Sequence, residues 1–90
     1  MSTDQILTTA GALVARLRSF DGDDRERGLD AAEIIERTLS RLSVDPAAAC
    51  ARLRYHIGGK GMLDWRWSER HCAELEALSG EVFALLQERA

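Results

Sequence analysis

SERHCAELEALSGEVFALLQER, residues 68–89, is the stretch on which the fold turns. Cys72, Leu75, Leu78, Val82, Phe83, Leu85 and Leu86 together form a wide apolar helix face. The face is too wide for a single neighbour to cover, so the chain reads as an all-α domain with this last helix at its centre. Leu75, Leu78, Val82 and Leu85 also fit heptad a and d positions, but barely two heptads do not make an isolated coiled coil. Either Asp64 or Ser68 can cap the helix start.

Working back from that helix, the segment Gly58 to Ser68, GGKGMLDWRWS, fits no regular element. Its glycines disfavour a helix, while Met62, Leu63, Trp65 and Trp67 are too apolar for a solvated linker. The helix before it is short. Asp45 caps it, Pro46 takes its first position, Ala49, Cys50, Leu53 and Ile57 share one face, and Gly58-Gly59 supplies a left-handed stop. The second helix carries Ala31, Ile35, Leu39 and Leu42 at helical spacing and runs to about Ser43. Asp30 with Glu33 resembles a capping box, yet the polar run Asp21 to Gly28 also reads as an exposed first turn, so residues 21–29 are loop or helix and a start near Asp24 is favoured. Gly28 within such a helix costs roughly 1 kcal/mol against Ala. The first helix has Ile6, Ala10, Leu13, Leu17 and Phe20 on one stripe, Ser2 or Thr3 as cap, and an end near Asp21 and Gly22. The expected architecture is thus a small four-helix domain spanning 1–90, with a short third helix crossing the others and a Gly/Trp-containing connection before the last.

Ninety residues bury one modest core, so a second copy of the chain or a partner is expected to supply part of the burial. The net charge of −3 has the wrong sign for a domain held to nucleic acid by a generally basic surface. Lys60 is the single lysine among twelve basic residues, and the Arg- and Ala-rich bias suggests a GC-rich bacterial genome. Two cysteines 22 positions apart form no CxxC pair and read as reduced thiols. Arg16 and Arg18 interrupt the apolar N-terminal stretch, no run is long enough to span a bilayer, and the expected location is the cytoplasm.

Chemistry-bearing residues gather around the glycine-rich break: Tyr55, His56, Lys60, Asp64, Trp65, Arg66, Trp67 and His71. Tryptophan, tyrosine and arginine dominate binding hot spots, so Arg54, Tyr55, Lys60, Trp65, Arg66 and Trp67 are read as a partner-binding surface. The competing reading has one or both tryptophans roofing the core. If the segment were helical from Asp64, the two would point about 200° apart, leaving one as a surface anchor. Residues 50–72 carry a net +3 and the remainder −6. That basic stretch can receive an acidic protein surface, or, as the alternative, residues 52–70 can bind single-stranded nucleic acid. Asp21, Asp23, Asp24, Glu26 and Asp30 can equally face it within a homo-oligomer.

Other chemistries fit less well. Gly58-Gly59-Lys60-Gly61 lacks the spacing, the following Ser or Thr and the preceding strand of a phosphate loop. Cys50, His56, His71 and Cys72 have no ligand spacing for zinc, so no metal or other cofactor is expected. The cysteines read as small buried apolar groups and the histidines as partly exposed helix residues, His56 lying near a helix C-terminus where its protonated form would interact favourably with the dipole. A catalytic site around His56, Asp64 and His71 needs a tertiary geometry that no motif implies, and a non-catalytic protein–protein interaction module is the expected function.

Overall fold

Four helices account for most of the chain in the computed structural model, which describes residues 3–58 and 65–89. They are α1 (Thr3–Arg18), α2 (Arg25–Leu39), α3 (Pro46–Ile57) and α4 (Glu69–Arg89), with a 3-10 turn at Gly22–Asp24 leading into α2. Among the described residues there are no strands. Helix α4 is 21 residues long and α3 only 12, so the domain is all-α and compact with a shorter third helix. A helix of that length spans about 31 Å, close to the 35 Å long axis of the molecule, whose other extents are 21 and 20 Å.

The packing closes a ring. Helix α1 lies against both α2 and α4, and α3 also touches both, so the core is enclosed by all four. Each helix contributes most of the stripe that its sequence spacing predicts, with Leu39, Cys72 and Phe83 only partly buried. Ile6, Ala10, Leu13 and Leu17 are buried on α1, and Phe20 is buried just beyond it. Helix α2 gives Ala31 and Ile35, α3 gives Ala49, Cys50, Leu53 and Ile57, and α4 gives Leu75, Val82 and Leu86, with Leu78 and Leu85 packed partly buried at the edge. His71 and Ser79 continue the α4 stripe, so its buried line includes two polar residues that an apolar pattern does not show.

The α1–α2 contact explains Gly28. A Cβ at this position would sit 2.3 Å from the Leu17 carbonyl oxygen, so the helix backbones approach more closely than any side chain allows. The propensity cost at Gly28 is therefore exchanged for close packing. Gly22 is special for a different reason: its φ of +62° opens the 3-10 turn, a conformation that L-residues avoid.

The structure revises several boundaries. Asp30 is an exposed residue inside α2 rather than its cap. The 3-10 turn feeds directly into a helix beginning at Arg25, as the favoured start near Asp24 implies. At its other end α2 stops at Leu39, short of Ser43. The Thr38 hydroxyl donates to the Ile34 carbonyl (2.9 Å) and the Ser40 hydroxyl to the Arg37 carbonyl (2.6 Å). The backbone then tightens into three-residue turns, with Arg41 N–H donating to Thr38 and Leu42 N–H to Leu39, each at 3.1 Å. Leu42 is buried all the same, because the turns deliver it to the core that the helical stripe was heading for.

Helix α3 starts as its sequence predicts, with Pro46 first and the Asp45 carboxylate accepting from Ala48 N–H at 3.2 Å. It does not end on a left-handed residue. Gly58 is extended (φ −107°, ψ 177°) and packs under the Phe83 ring, and Gly59 lies outside the described residues. The Ser2 cap of α1 also lies outside them, and Thr3 is already helical.

Candidate functional site

Residues 65–68 are not helical and α4 begins at Glu69, which removes the premise that would drive the two tryptophans apart. Trp65 and Trp67 instead stack on each other, with ring centroids 6.0 Å apart and planes 16° apart. Both are partly buried against the core. Trp67 meets the Phe20 ring edge-on at 5.7 Å, and Phe20 in turn stacks face to face on His71 at 4.1 Å. The result is one aromatic series, Trp65–Trp67–Phe20–His71, running from a half-exposed surface to a buried polar cluster. The guanidinium of Arg16 lies 5.6 Å from the Phe20 ring centre and covers it from the α1 side.

That polar cluster centres on Asp24, which is 1 % exposed. Its carboxylate accepts from the Ser68 backbone N–H at 3.1 Å on both oxygens, from the Ser68 hydroxyl, and from Nδ1 of His71 at 2.5 Å. Arg27 stands 3.6 Å away on the outer side. Burial by itself pushes the Asp24 carboxyl up. The Ser68 hydroxyl, His71 and the Ser68 N–H together hold it below its ordinary value of 3.8. An ionised Asp24 requires the His71 proton to be on Nδ1, which makes that nitrogen a donor.

Ser68 is the residue from which α4 begins, since its carbonyl accepts the first helical N–H bonds, from His71 and Cys72. In a capping box the side chain three residues into the helix reaches back to the cap residue's own N–H. Here Asp24, 44 residues away, takes that N–H, while His71 in the third helical position also turns to Asp24. A carboxylate at the positive end of α4 gains further from the helix dipole. Asp24 immediately precedes α2 but makes no side-chain cap hydrogen bond to it; apart from the ion pair with Arg27, its carboxylate serves the distant helix.

Aspartate, histidine and serine in contact suggest a nucleophile relay, and the geometry decides against one at these atoms. In such a relay the hydroxyl and the carboxylate sit on opposite ring nitrogens. Here Ser68 and Asp24 both lie on the Nδ1 side, and the Ser68 hydroxyl donates to Asp24 rather than to His71. Nε2 faces Asp21 at 3.8 Å. The cluster is a clamp between the start of α2 and the start of α4.

Sequence reasoning misplaced several of these groups. His71 is buried at 6 % exposure, not partly exposed, because Asp24 pairs with it inside. Cys72 is half-buried with its thiol toward Glu76 (3.8 Å), while Cys50 is buried, and both thiols are free. His56 is pushed below its ordinary 6.5 by burial and then by the charge of Arg52, so the protonated form that the helix dipole would favour is disfavoured by its surroundings. His56 contacts the Tyr55 ring at 5.4 Å and His71 contacts Asp24, so the two histidines serve different helices. Asp64, the third member of that grouping, lies outside the described residues. Asp24 and Phe20, which anchor the actual cluster, carry no local sequence signal of that role.

The charge asymmetry has an intramolecular component. Asp21 pairs with Arg70, Asp24 with His71 and Arg27, and Arg16 Nε with Glu74 at 2.7 Å. Acidic residues of the 21–24 turn thus meet the basic start of α4 within one chain.

Of the residues read as partner-binding, Tyr55 is 64 % exposed on α3 and Arg66 is exposed beside the stacked tryptophans. Arg54 is half-buried and its guanidinium donates to the Leu86 carbonyl (3.4 Å), which ties α3 to α4. Lys60 and the rest of Gly59–Asp64, including most of the glycine-rich stretch, lie outside the described residues. Among the described residues no group of three His, Cys, Asp or Glu side chains is placed to hold a metal ion. None of the described helices is long and apolar enough to cross a membrane. No family model, no curated protein and no solved structure matches the chain.

Proposed function

We propose that the chain is a non-catalytic protein–protein interaction module, an adaptor, inhibitor or small regulator of a bacterial cell or mobile element. Its contact surface would comprise Arg54, Tyr55, Lys60, Trp65, Arg66 and Trp67. The observation that carries this reading is the stacked Trp65–Trp67 pair, fixed from behind by Phe20 yet still partly open to solvent beside the exposed Arg66. Rigid aromatics lose little conformational freedom on binding, and an arginine next to them supplies a planar cation to a carboxylate on the partner. The wide exposure of Tyr55 on the neighbouring helix extends the same chemistry.

The test is capture from the native host with tagged protein, followed by mass spectrometry and the intact mass of the complex. Tyr55→Ala and Arg66→Ala serve as surface variants, because neither side chain is part of the core. The reading expects capture of a defined protein to fall in both variants while far-UV circular dichroism stays unchanged. Capture that is indifferent to both substitutions refutes the surface. A nucleic acid in place of a protein, bound with an affinity that falls steeply with salt, replaces the reading with the nucleic-acid alternative.

A further inference from the structure

A second cluster of cations lies where the end of α2 and its following turns meet the start of α3. A cavity of about 370 Å³ lies there. Arg37, Thr38 and Arg41 line one side and Ala48, Ala49 and Arg52 the other, with Asp45 at the junction. The spacings explain the convergence: Arg37 and Arg41 are four apart, and Asp45, Ala48, Ala49 and Arg52 follow the three-and-four step of one helical face.

Three arginines and one carboxylate thus line the same cavity, and that carboxylate accepts from Ala48 N–H to cap α3. Arg37 has Glu33 as its partner, one helical turn back. Arg41 and Arg52 form no ion pair among the described residues. The field of Arg52 is felt nearby, where it helps push the His56 ring toward its neutral form. Thr38 spends its hydroxyl proton on the Ile34 carbonyl and is left as a polar wall, while Ala48 and Ala49 form an apolar one.

We propose that this cleft binds a small phosphorylated ligand, a phosphate monoester or phosphoanhydride on an organic body no larger than a mononucleotide. Arg41 and Arg52 engage the phosphate and the alanine wall accommodates the body. Guanidinium forks match the oxygens of a phosphate group, and the charge of a phosphate dianion matches two unpaired arginines better than a single carboxylate does. The cavity volume lies at the lower end of the range for small-ligand sites, which sets the size limit. None of its residues belongs to the surface proposed for a protein partner, so either site can fail independently of the other.

Isothermal titration calorimetry at low salt, with inorganic phosphate, pyrophosphate, AMP and ATP as probes, tests the site. The proposal expects saturable one-to-one binding of at least one probe, weakened about tenfold or more by Arg41→Gln and by Arg52→Gln. Arg25→Gln removes an exposed charge elsewhere and is expected to leave the affinity unchanged. The thermal midpoint of each variant without ligand checks that the fold is intact. Three results overturn the proposal: no saturable binding up to about 10 mM of any probe, equal weakening by Arg25→Gln, or displacement of every probe by a single-stranded oligonucleotide that binds more tightly through the same two arginines.

Discussion

Replacing Asp24 with alanine removes the acceptor of three donors at once: the Ser68 N–H, the Ser68 hydroxyl and His71 Nδ1. Asp24 is 1 % exposed and His71 6 % exposed, so water reaches neither without local opening. Each donor left buried and unpaired costs about 1–3 kcal/mol. Cavity relaxation and water entry keep the total below the simple sum, and truncating one partner of a buried charged cluster typically costs about 3–5 kcal/mol. Set against the about 5–15 kcal/mol of stability usual for a folded domain, that is a large fraction. Asp24→Asn keeps the shape but offers one carbonyl oxygen and an NH2 group that faces donors, so it is expected to lose nearly as much. Urea unfolding followed by circular dichroism and by tryptophan fluorescence measures both variants, the second probe being sensitive because Trp67 joins the cluster through Phe20. The pH dependence provides an independent check. A carboxyl whose folded value lies below 3.8 contributes stability that is fully present above the unfolded value and is lost as pH falls through the folded one. The wild type should therefore lose stability below about pH 4, and Asp24→Asn should lack that component of the loss. A cost below about 1 kcal/mol in both variants, or an acid profile unchanged by Asp24→Asn, would refute the clamp.

Three further outcomes follow from particular atoms. Gly28→Ala gains about 1 kcal/mol of helix propensity but forces a Cβ to within 2.3 Å of the Leu17 carbonyl oxygen, so a net loss of about 1–2 kcal/mol is expected in chemical denaturation, and a raised midpoint would contradict the close crossing. The Ser79 hydroxyl is buried without a hydrogen-bond partner among the described residues, so Ser79→Ala should be neutral or stabilising by up to about 1 kcal/mol, and a clear loss would mean the hydroxyl is satisfied. Arg52→Gln should raise the His56 pKa in an NMR titration, though burial still holds it below 6.5; the lowered value also means that His56 protonation opposes folding, so this residue's contribution to stability falls as pH drops below 6.5.

The helices were legible in the sequence because their signals are local. Ile6, Ala10, Leu13 and Leu17 declare a buried face through spacing alone, and Asp45-Pro46 marks a helix start through side-chain geometry that needs no distant partner. The end of α2 was not legible, because the apolar period continues through Leu42 while the hydroxyls of Thr38 and Ser40 compete for backbone carbonyls. The clamp was hidden for another reason. Asp24 sits in a run of charged residues that hydropathy assigns to solvent, and only Ser68 and His71, 44 and 47 positions away, make burying it favourable. The tryptophans lay between these cases: their identity pointed to the right region, but their stacking depends on a backbone that is not helical there.

The direction of α4 is thus set by a side chain from the opposite half of the molecule rather than by the peptide that leads into it. That separates the position of the helix from the length of its tether. Closing a loop costs only about 0.6 kcal/mol more when its length doubles, less than a single buried donor of the clamp is worth. The aspartate, serine and histidine, rather than the length of the peptide that leads to them, therefore fix where α4 starts in the four-helix ring.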